Sequence, residues 1–306
     1  MTSKIILRNS RYTLEIDPHG AAIMRFYDTA TKEDFIYGYA NEAEKTGGMG
    51  DVLFPWPGRV ENKQYIFKGK KYHLEGVSEN AGNALHGFAK DQTFAVVSAG
   101  PAQVELEYIF KKEKFAPLGY PFEAKLNIRY SLGHNGFSCQ SKVENIGKDY
   151  LPFGLGFHPY FYLNAKSIDE LKLQIPAKKM IEFDNNLKPT GKFIEIEKSH
   201  LDFSQNKKIN QSEIDNCFYD LEYSDRKAQT VLTRQDGRRI TIYQDENMPY
   251  LQIYSADTIG KKHFRRALAI EPQTCCGYSL NIPELGLIVL KQRQKFKCLW
   301  GVEVSA

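Results

Sequence analysis

Apolar and polar residues alternate along much of this chain with a period near two. Segments that alternate in this way, or that are rich in β-branched and aromatic residues, span residues 12–16, 65–74, 104–110, 124–130, 230–243 and 250–254. This pattern is typical of β-strands. Turn-forming residues separate several of these strands, and Asp236-Gly237 is a strong hairpin signal. The sequence therefore predicts strands that pair antiparallel with their neighbours.

Helical periodicity is scarce. The best candidate helices, near residues 41–45 and 168–171, are only about one turn long and carry no sustained apolar stripe. No internal repeat of fixed period and no low-complexity linker divides the chain. We therefore predict an all-β protein with few short helices, organised as one large antiparallel β-domain over residues 1–306. The polar stretch 197–212 is predicted to be a long surface loop.

The composition is that of an ordinary globular protein. Hydrophobic residues make up 42% of the 306 residues and charged residues 25%, which excludes a disordered chain. Length alone would allow one large domain or two modest ones. The net charge is +4 with both signs interspersed, so we expect no nucleic-acid partner. The 19 Phe and 18 Tyr suit facing sheets or the lining of a sugar cleft.

Cysteine usage and apolar runs bear on the compartment. None of the five cysteines belongs to a Cys-x-x-Cys pair, which favours reduced thiols over a disulfide framework or a zinc site. Residues 1–9 contain too short an apolar run for a signal peptide. The apolar stretch 285–290 is too short to span a membrane. We expect a cytoplasmic protein without a membrane partner.

One segment places a histidine at the end of a track of glycines. If residues 153–158 form a strand, Gly154, Gly156 and His158 point to one face and bulky apolar residues to the other. Glycine within a strand often marks the close approach of a ligand or of another backbone. His158 is therefore expected at a cavity. The alternative is a core histidine beside a glycine bulge.

A second segment places a carboxylate in a similar setting. Ala267, Ala269 and Glu271 share one face of a predicted strand, while the apolar residues between them take the core side. A ligand that covers such a carboxylate raises its pKa toward neutrality and makes it usable as a general base. The alternative is a strand-end glutamate that pairs with a surface arginine such as Arg265.

Three further candidates stand in turns or stiff segments. His86 lies in a turn-rich region and would donate to a ligand oxygen, although a lone loop histidine is usually solvated and inert. Arg59 follows a proline-rich segment and suits contact with sugar hydroxyls, or it stacks on Trp56 for packing. Asp215 follows the polar stretch, where a helix cap or a turn is the ordinary explanation.

Taken together, these segments resemble the aldose 1-epimerase (mutarotase) family from about residue 14 to residue 290. In chain order they read Pro-Trp-Pro-Gly-Arg-Val, Leu-His-Gly-Phe, Gly-Phe-His-Pro-Tyr-Phe, Ile-Asp-Asn-Cys-Phe and Ile-Glu-Pro-Gln-Thr. The resemblance implies a single galactose-mutarotase-like β-sandwich, free of metal and organic cofactor. It also implies a protein that binds a monosaccharide and interconverts the α and β anomers of free aldoses.

The resemblance also implies a role for each candidate residue. His158 is similar to the family's general acid and Glu271 to its general base. His86 and Arg59 resemble residues that bind the sugar near its ring oxygen and hydroxyls, and Asp215 resembles a carboxylate that holds sugar hydroxyls. In the implied reaction, one proton leaves the anomeric hydroxyl while another reaches the ring oxygen.

That chemistry carries expectations about geometry and protonation. A carboxylate and an imidazolium on opposite sides of the sugar ring would perform the two proton transfers. His158 would then be protonated near neutral pH, as an unperturbed pKa of about 6.5 allows. Together these conditions predict a bell-shaped pH dependence of kcat/KM. A metallohydrolase that uses His86 and His158 is disfavoured, because no ligand pair stands at helix or hairpin spacing.

The chain departs from the family pattern at positions that bear on its substrate. Gly58 stands where family members usually have Asn, and Phe88 stands where many have Gly. Subgroups that include hexose-6-phosphate epimerases share this Phe, so such a phosphosugar epimerase is one alternative. Phosphate recognition would need at least two cations at the cleft, for which Lys90 is one candidate. A carbohydrate-binding protein without catalysis is another alternative.

Overall fold

The computed structural model describes residues 4–305, which are built mainly of β-strands and connecting loops. Residues 1–3, at the start of the segment inspected for a signal peptide, lie outside the described residues, as does residue 306. The strands are β1 (Ile5–Arg8), β2 (Tyr12–Asp17), β3 (Ala22–Asp28), β4 (Val52–Leu53), β5 (Arg59–Val60), β6 (Gln64–Phe67), β7 (Lys70–His73), β8 (Glu79–Asn80), β9 (Asn83–Leu85), β10 (Ala95–Gly100), β11 (Gln103–Phe110), β12 (Ala124–Leu132), β13 (Gly136–Asn145), β14 (Leu151–Phe153), β15 (Gly156–Phe157), β16 (Tyr160–Phe161), β17 (Lys172–Gln174), β18 (Ala177–Phe183), β19 (Pro189–Glu195), β20 (Lys207–Lys208), β21 (Asp215–Leu221), β22 (Lys227–Thr233), β23 (Arg239–Asp245), β24 (Tyr250–Tyr254), β25 (Leu268–Gln273), β26 (Ile288–Leu290) and β27 (Lys295–Ser305). The prediction of an all-β fold is confirmed.

Within residues 4–305, helical structure is limited to single turns. The α-helix α1 (Lys112–Phe115) has four residues. The 3-10 turns are Glu42–Glu44, Glu61–Lys63, Ala89–Asp91, Ile168–Glu170, Ile196–Lys198 and Pro283–Leu285. Two of them fall at the predicted helical positions near residues 41–45 and 168–171, so those predictions are confirmed as 3-10 turns. Among residues 4–305, no helix has the length and apolar character needed to cross a membrane.

The larger sheet has nine strands in the order β10-β11-β12-β13-β27-β23-β22-β17-β20, and all its pairs are antiparallel. The predicted hairpin at Asp236-Gly237 joins β22 to β23, with Thr230 opposite Ile242. Alternate residues of these strands are buried, as in β11, where Val104 and Leu106 are inaccessible. The alternation of apolar and polar residues in the sequence thus indicates which face of this sheet packs in the core.

The second sheet has eight strands, ordered β19-β18-β21-β24-β25-β15-β4, with β16 also paired to β25. Its apolar face packs on the nine-stranded sheet, and the two faces share one hydrophobic core. Phe157 of β15 meets Trp300 of β27 with ring centroids 5.2 Å apart. Because β24 and β25 bury one face in this core, their other face is free to carry polar residues. The assignment of residues 1–306 to one domain stays a prediction.

Small sheets and loops complete the fold. The sheets β1-β2-β3, β5-β9-β8, β6-β7 and β14-β26 are also antiparallel. The stretch 197–212 is less exposed than predicted, because Leu201, Phe203 and Ile209 are buried in the core and the short strand β20 interrupts it. These apolar residues are scattered among polar ones, so the composition of the stretch did not indicate that they are buried. All five cysteines are buried and unpaired.

Candidate active site

One cavity of about 580 Å³ contains every candidate residue named from the sequence. Its volume lies within the range of roughly 300–1,000 Å³ that small-molecule sites occupy. The lining includes the side chains Arg59, His86, His158, Asp215 and Glu271. Residues that are up to 212 positions apart in the chain, such as Arg59 and Glu271, therefore meet at one site.

One wall of the cavity is the polar face of β21, β24 and β25. Gln252 lies opposite Glu271, and Tyr254 lies opposite Asp215, in the antiparallel register. Side chains at paired positions share a face of the sheet. The intervening apolar residues of β25 are buried in the core, as the alternation in 267–271 predicted. Strand register therefore brings the two carboxylates and one amide to the same face.

Glu271 is almost fully buried, with 2% of its surface exposed. Its Oε2 accepts a hydrogen bond from Gln273 Nε2 at 3.0 Å. Its Oε1 lies 3.3 Å from Nε2 of His158. The alternative in which Glu271 pairs with Arg265 is wrong, because Arg265 forms its ion pairs elsewhere, for example with Asp169.

His158 is held on both its backbone and its ring. Its N–H donates to the Asp51 carbonyl and its carbonyl accepts from the Gly50 N–H, both at 3.0 Å. The ring stacks on Tyr160 with centroids 4.9 Å apart. Gly48, with φ +75°, lies against the ring edge, where an added Cβ would come within 3.0 Å of His158 Cδ2. A side chain at position 48 would therefore push against the imidazole.

The glycines before His158 pack against other parts of the chain. A Cβ at Gly154 would lie 2.2 Å from Cys275 Sγ, and one at Gly156 would lie 3.0 Å from Pro57 Cβ. The space beside these glycines is therefore filled by side chains of the protein rather than by a ligand or another backbone. The prediction that His158 reaches a cavity is nevertheless confirmed.

His86 is a half-buried residue whose hydrogen bonding defines its tautomer. The N–H of Gly58 donates to His86 Nδ1 at 3.1 Å, so a neutral His86 carries its proton on Nε2. Burial lowers the pKa of His86 well below its ordinary value, and the neighbouring His158 adds to that effect. The two imidazole centroids are 5.3 Å apart. His86 is thus a neutral ring with one donor, and the alternative of a solvated loop histidine is wrong.

Arg59 begins β5 and lies at the cavity with its Nε donating to Asn80 Oδ1 at 3.2 Å. The alternative in which it stacks on Trp56 is not what the structure shows. Trp56 is buried in the core, where it meets Phe88 edge-on with ring centroids 5.3 Å apart. The guanidinium is therefore available to the cavity rather than committed to packing.

Asp215 is the first residue of β21 rather than a helix cap or a turn residue. Its Oδ1 accepts a hydrogen bond from Gln252 Nε2 at 2.7 Å. Burial raises the pKa of Asp215, and the positive charge of Arg59 and the Gln252 hydrogen bond oppose that rise. The arrangement leaves a carboxylate oxygen for the hydroxyls of a ligand.

Burial also acts on the protonation of His158 and Glu271. It lowers the pKa of His158 to about 4. It raises the pKa of Glu271 well above its ordinary value, and the negative charge of Asp215 adds to that rise. Burial thus favours the neutral form of both groups in the free protein. The expectation that His158 is protonated in the working state stays a prediction.

The predicted placement of acid and base on opposite sides of a sugar ring is also wrong. Atoms 3.3 Å apart, as His158 Nε2 and Glu271 Oε1 are, leave no room for a pyranose between them. Both groups must approach the ring from one side. The 3.3 Å contact places the two titratable groups side by side at the cavity.

Several lining residues were missed by the sequence reasoning. Lys45 and Asp51 form an almost buried ion pair at 2.6 Å, and Gln252 and Tyr254 come from the polar face of β24. The segment from Gly47 to Gly50 was overlooked, although three glycines in four residues signal a backbone with positive φ. Isolated polar residues within a strand pattern carry no comparable signal.

The sequence and the structure were compared with those of known proteins, and the result agrees with this fold and site. A family model described as aldose 1-epimerase matches residues 3–298. The chain therefore belongs to the aldose 1-epimerase family, and the resemblance noted in the sequence is confirmed. Membership in this family and the fold support a carbohydrate epimerase with a sugar ligand.

Individual relatives and structures agree with this assignment. The chain is 31% identical over 255 residues to the uncharacterized protein YihR of Escherichia coli, covering 83% of this chain and 78% of that protein. It superposes on the GalM/aldose epimerase homologue from C. elegans with a TM-score of 0.87 at 19% identity, covering 100% and 99% of the two chains. The galactose 1-epimerase from Lactobacillus acidophilus gives 0.82 at 18% identity, covering 99% and 94%. The fold is thus galactose-mutarotase-like.

Proposed function

We propose that this protein is an aldose 1-epimerase that interconverts the α and β anomers of a free aldohexose by acid/base ring opening and reclosure. The observation that carries the proposal is the buried contact of His158 Nε2 with Glu271 Oε1 at 3.3 Å, at a cavity large enough for a sugar. A binding protein has no need of an imidazole and a carboxyl group that share one proton in a desolvated site.

The proposed reaction begins with the proton on Glu271. Hydroxyls of a bound sugar donate to the carboxyl oxygens and stabilise the ionised form, which drives the proton to His158. Glu271 then accepts the proton of the anomeric hydroxyl while His158 donates to the ring oxygen, and the hemiacetal opens. Rotation about the C1–C2 bond and the reverse transfers close the ring as the other anomer. Each group would contribute about 10²- to 10⁴-fold.

The remaining candidates would bind the sugar. His86 presents its Nε2–H and Arg59 its guanidinium, so both donate to sugar oxygens, and Asp215 accepts from hydroxyls. Gln252, which bonds Asp215, keeps one of its oxygens in place. The scheme uses no metal or organic cofactor, because the proton that leaves one group is returned by the other.

The charges around the cavity favour a neutral sugar over a phosphosugar. Lys45 joins Lys90 at the cavity, so a second cation is present. Each lysine already has a carboxylate partner, Asp51 at 2.6 Å and Asp91 at 2.8 Å respectively. The lining side chains include five carboxyl groups, on Glu42, Asp51, Asp91, Asp215 and Glu271, against three cationic groups, on Lys45, Arg59 and Lys90. A phosphate group would meet little uncompensated positive charge.

Polarimetry tests the proposal. Catalytic amounts of the protein are added to freshly dissolved α-glucose, α-galactose, α-xylose or glucose 6-phosphate, and the approach to anomeric equilibrium is compared with that in buffer. We expect acceleration with at least one neutral aldose. No acceleration with any sugar, together with saturable sugar binding by calorimetry, would identify a binding protein. Faster turnover of glucose 6-phosphate than of every neutral aldose would identify a phosphosugar epimerase instead.

A further inference from the structure

The cavity contains two glutamines, and each serves a different carboxyl group. Gln252 Nε2 donates to Asp215 Oδ1 at 2.7 Å. Gln273 Nε2 donates to Glu271 Oε2 at 3.0 Å. In the proposed reaction, one of these carboxyl groups binds hydroxyls and the other transfers a proton. The two amides therefore act on different steps.

Gln273 is rigidly placed relative to Glu271. The two residues are separated by one position on β25, so their side chains share a face of the strand. Gln273 is paired through its backbone with Tyr250 on one side and with Gly156 on the other. Both side chains are buried, with 2% of each residue exposed. A neighbour held in this way gives the carboxyl group little freedom to rotate.

The hydrogen bond distinguishes the two oxygens of the carboxyl group. Oε2 is occupied by the Gln273 amide, whereas Oε1 faces Nε2 of His158 at 3.3 Å. We propose that Gln273 is a positioning residue that holds Glu271 by one oxygen so that the other is aligned with His158 and the sugar. This inference rests on the proposed epimerase function.

The groups around Glu271 act on its proton in opposite directions. Burial and the charge of Asp215 raise the pKa of Glu271, while the Gln273 hydrogen bond and Arg59 lower it. His158 faces Oε1, and Tyr160 and Cys217 are also close enough to feel the charge of Glu271. Among these neighbours, Gln273 donates a hydrogen bond to Glu271 without itself titrating. Its removal would therefore raise the pKa of Glu271.

The test compares Gln273→Met with the matched control Gln252→Met. For Gln273→Met we expect kcat to fall roughly 10- to 100-fold, the loss for one hydrogen bond to a charged group, with KM little changed. The basic limb of kcat/KM should also move to higher pH, since it reports loss of the shared proton. Gln252→Met should instead raise KM and leave the basic limb in place. Equal effects of the two substitutions on KM and on the pH profile would overturn the assignment.

A second readout does not depend on turnover. The infrared C=O band of protonated Glu271, identified by its absence in Glu271→Gln, should titrate at higher pH in Gln273→Met than in the unsubstituted protein. An unchanged titration would overturn the inference. If the unsubstituted protein shows no epimerase activity, the proposed function fails, while this titration still tests the coupling. Gln273→Glu keeps the side-chain shape and replaces the Met variant if that variant does not fold. The second carboxyl group beside Glu271 should raise the pH at which the band titrates.

Discussion

The two walls of the cavity are built in different ways. The sheet wall, formed by β21, β24 and β25, places Asp215, Gln252 and Glu271 by strand register. The loop wall, formed by residues 45–51 and 86–91, depends on ion pairs and on glycines with positive φ. The sheet wall carries the carboxyl groups of the proposed chemistry, and the loop wall surrounds the imidazoles.

The difference shows how the two tasks are separated. A side chain on a central strand is fixed by ladder hydrogen bonds on both sides, which suits groups that must meet reacting atoms within a few tenths of an ångström. A loop tolerates substitution and insertion more readily, which suits groups that select among substrates. We therefore expect the sheet wall to hold both the proton-transferring Glu271 and the sugar-binding Asp215 in place, and the loop wall to combine support of His158 with selectivity.

The largest effect is expected at the sheet wall, in Glu271→Gln. This variant keeps the side-chain shape and removes the base, so kcat should fall by at least about 10²- to 10⁴-fold. Sugar affinity, measured by calorimetry, should be largely retained, because the amide still accepts a hydrogen bond. A variant that lost affinity as severely as turnover would mean that Glu271 acts in binding rather than in proton transfer.

The pH profile tests how the two walls together affect the pKa of His158 beside Glu271. Adding a proton to His158 gives the pair two protons and no base, so activity should fall as the pH decreases through the pKa of His158, which is about 4. At pH 5 most of the kcat/KM should therefore remain, whereas an ordinary histidine pKa of about 6.5 would leave roughly thirtyfold less. An acid limb near 6.5 would show that burial does not control His158.

The loop wall is tested by Gly48→Ala, with Gly69→Ala as its control. Both glycines have φ +75°, so both substitutions carry the same backbone strain of about 1–2 kcal/mol. A Cβ at Gly48 would meet the His158 ring at 3.0 Å, while nothing lies within 4 Å of one at Gly69. We expect both variants to lose similar melting temperature, and only Gly48→Ala to lose kcat, by roughly tenfold or more. Equal kcat values in the two variants would show that this loop does not position His158.

The smallest effect is expected for Asp215→Asn, again on the sheet wall. The amide keeps the shape of the carboxylate and loses one charge-assisted contact to the sugar, which should raise KM by about tenfold and change kcat little. Initial rates over a range of sugar concentrations measure this division. A large loss of kcat with unchanged KM would show that Asp215 takes part in the proton transfers.

Much of the sheet wall could be predicted from the sequence. The alternation in residues 267–271 placed Glu271 opposite the core side because a strand has a strict period of two. The same logic failed at Gly154 and Gly156, because an absent side chain does not reveal whether a ligand or another part of the chain fills the space. Gln252 gave no signal, and Gln273 entered only as part of the Glu-Pro-Gln-Thr motif without a role, since the role of an amide becomes clear only when its partner is known.

The order of residues by itself determined that this chain forms antiparallel strands, that His158 and Glu271 stand in segments of special character, and that the whole resembles aldose 1-epimerases. These properties follow from local periodicity and from motifs that need no knowledge of distance. Only the tertiary structure decided that the imidazole and the carboxyl group lie 3.3 Å apart on one side of the cavity. It also decided that burial lowers the pKa of His158 and raises that of Glu271, because desolvation depends on everything that packs around a group.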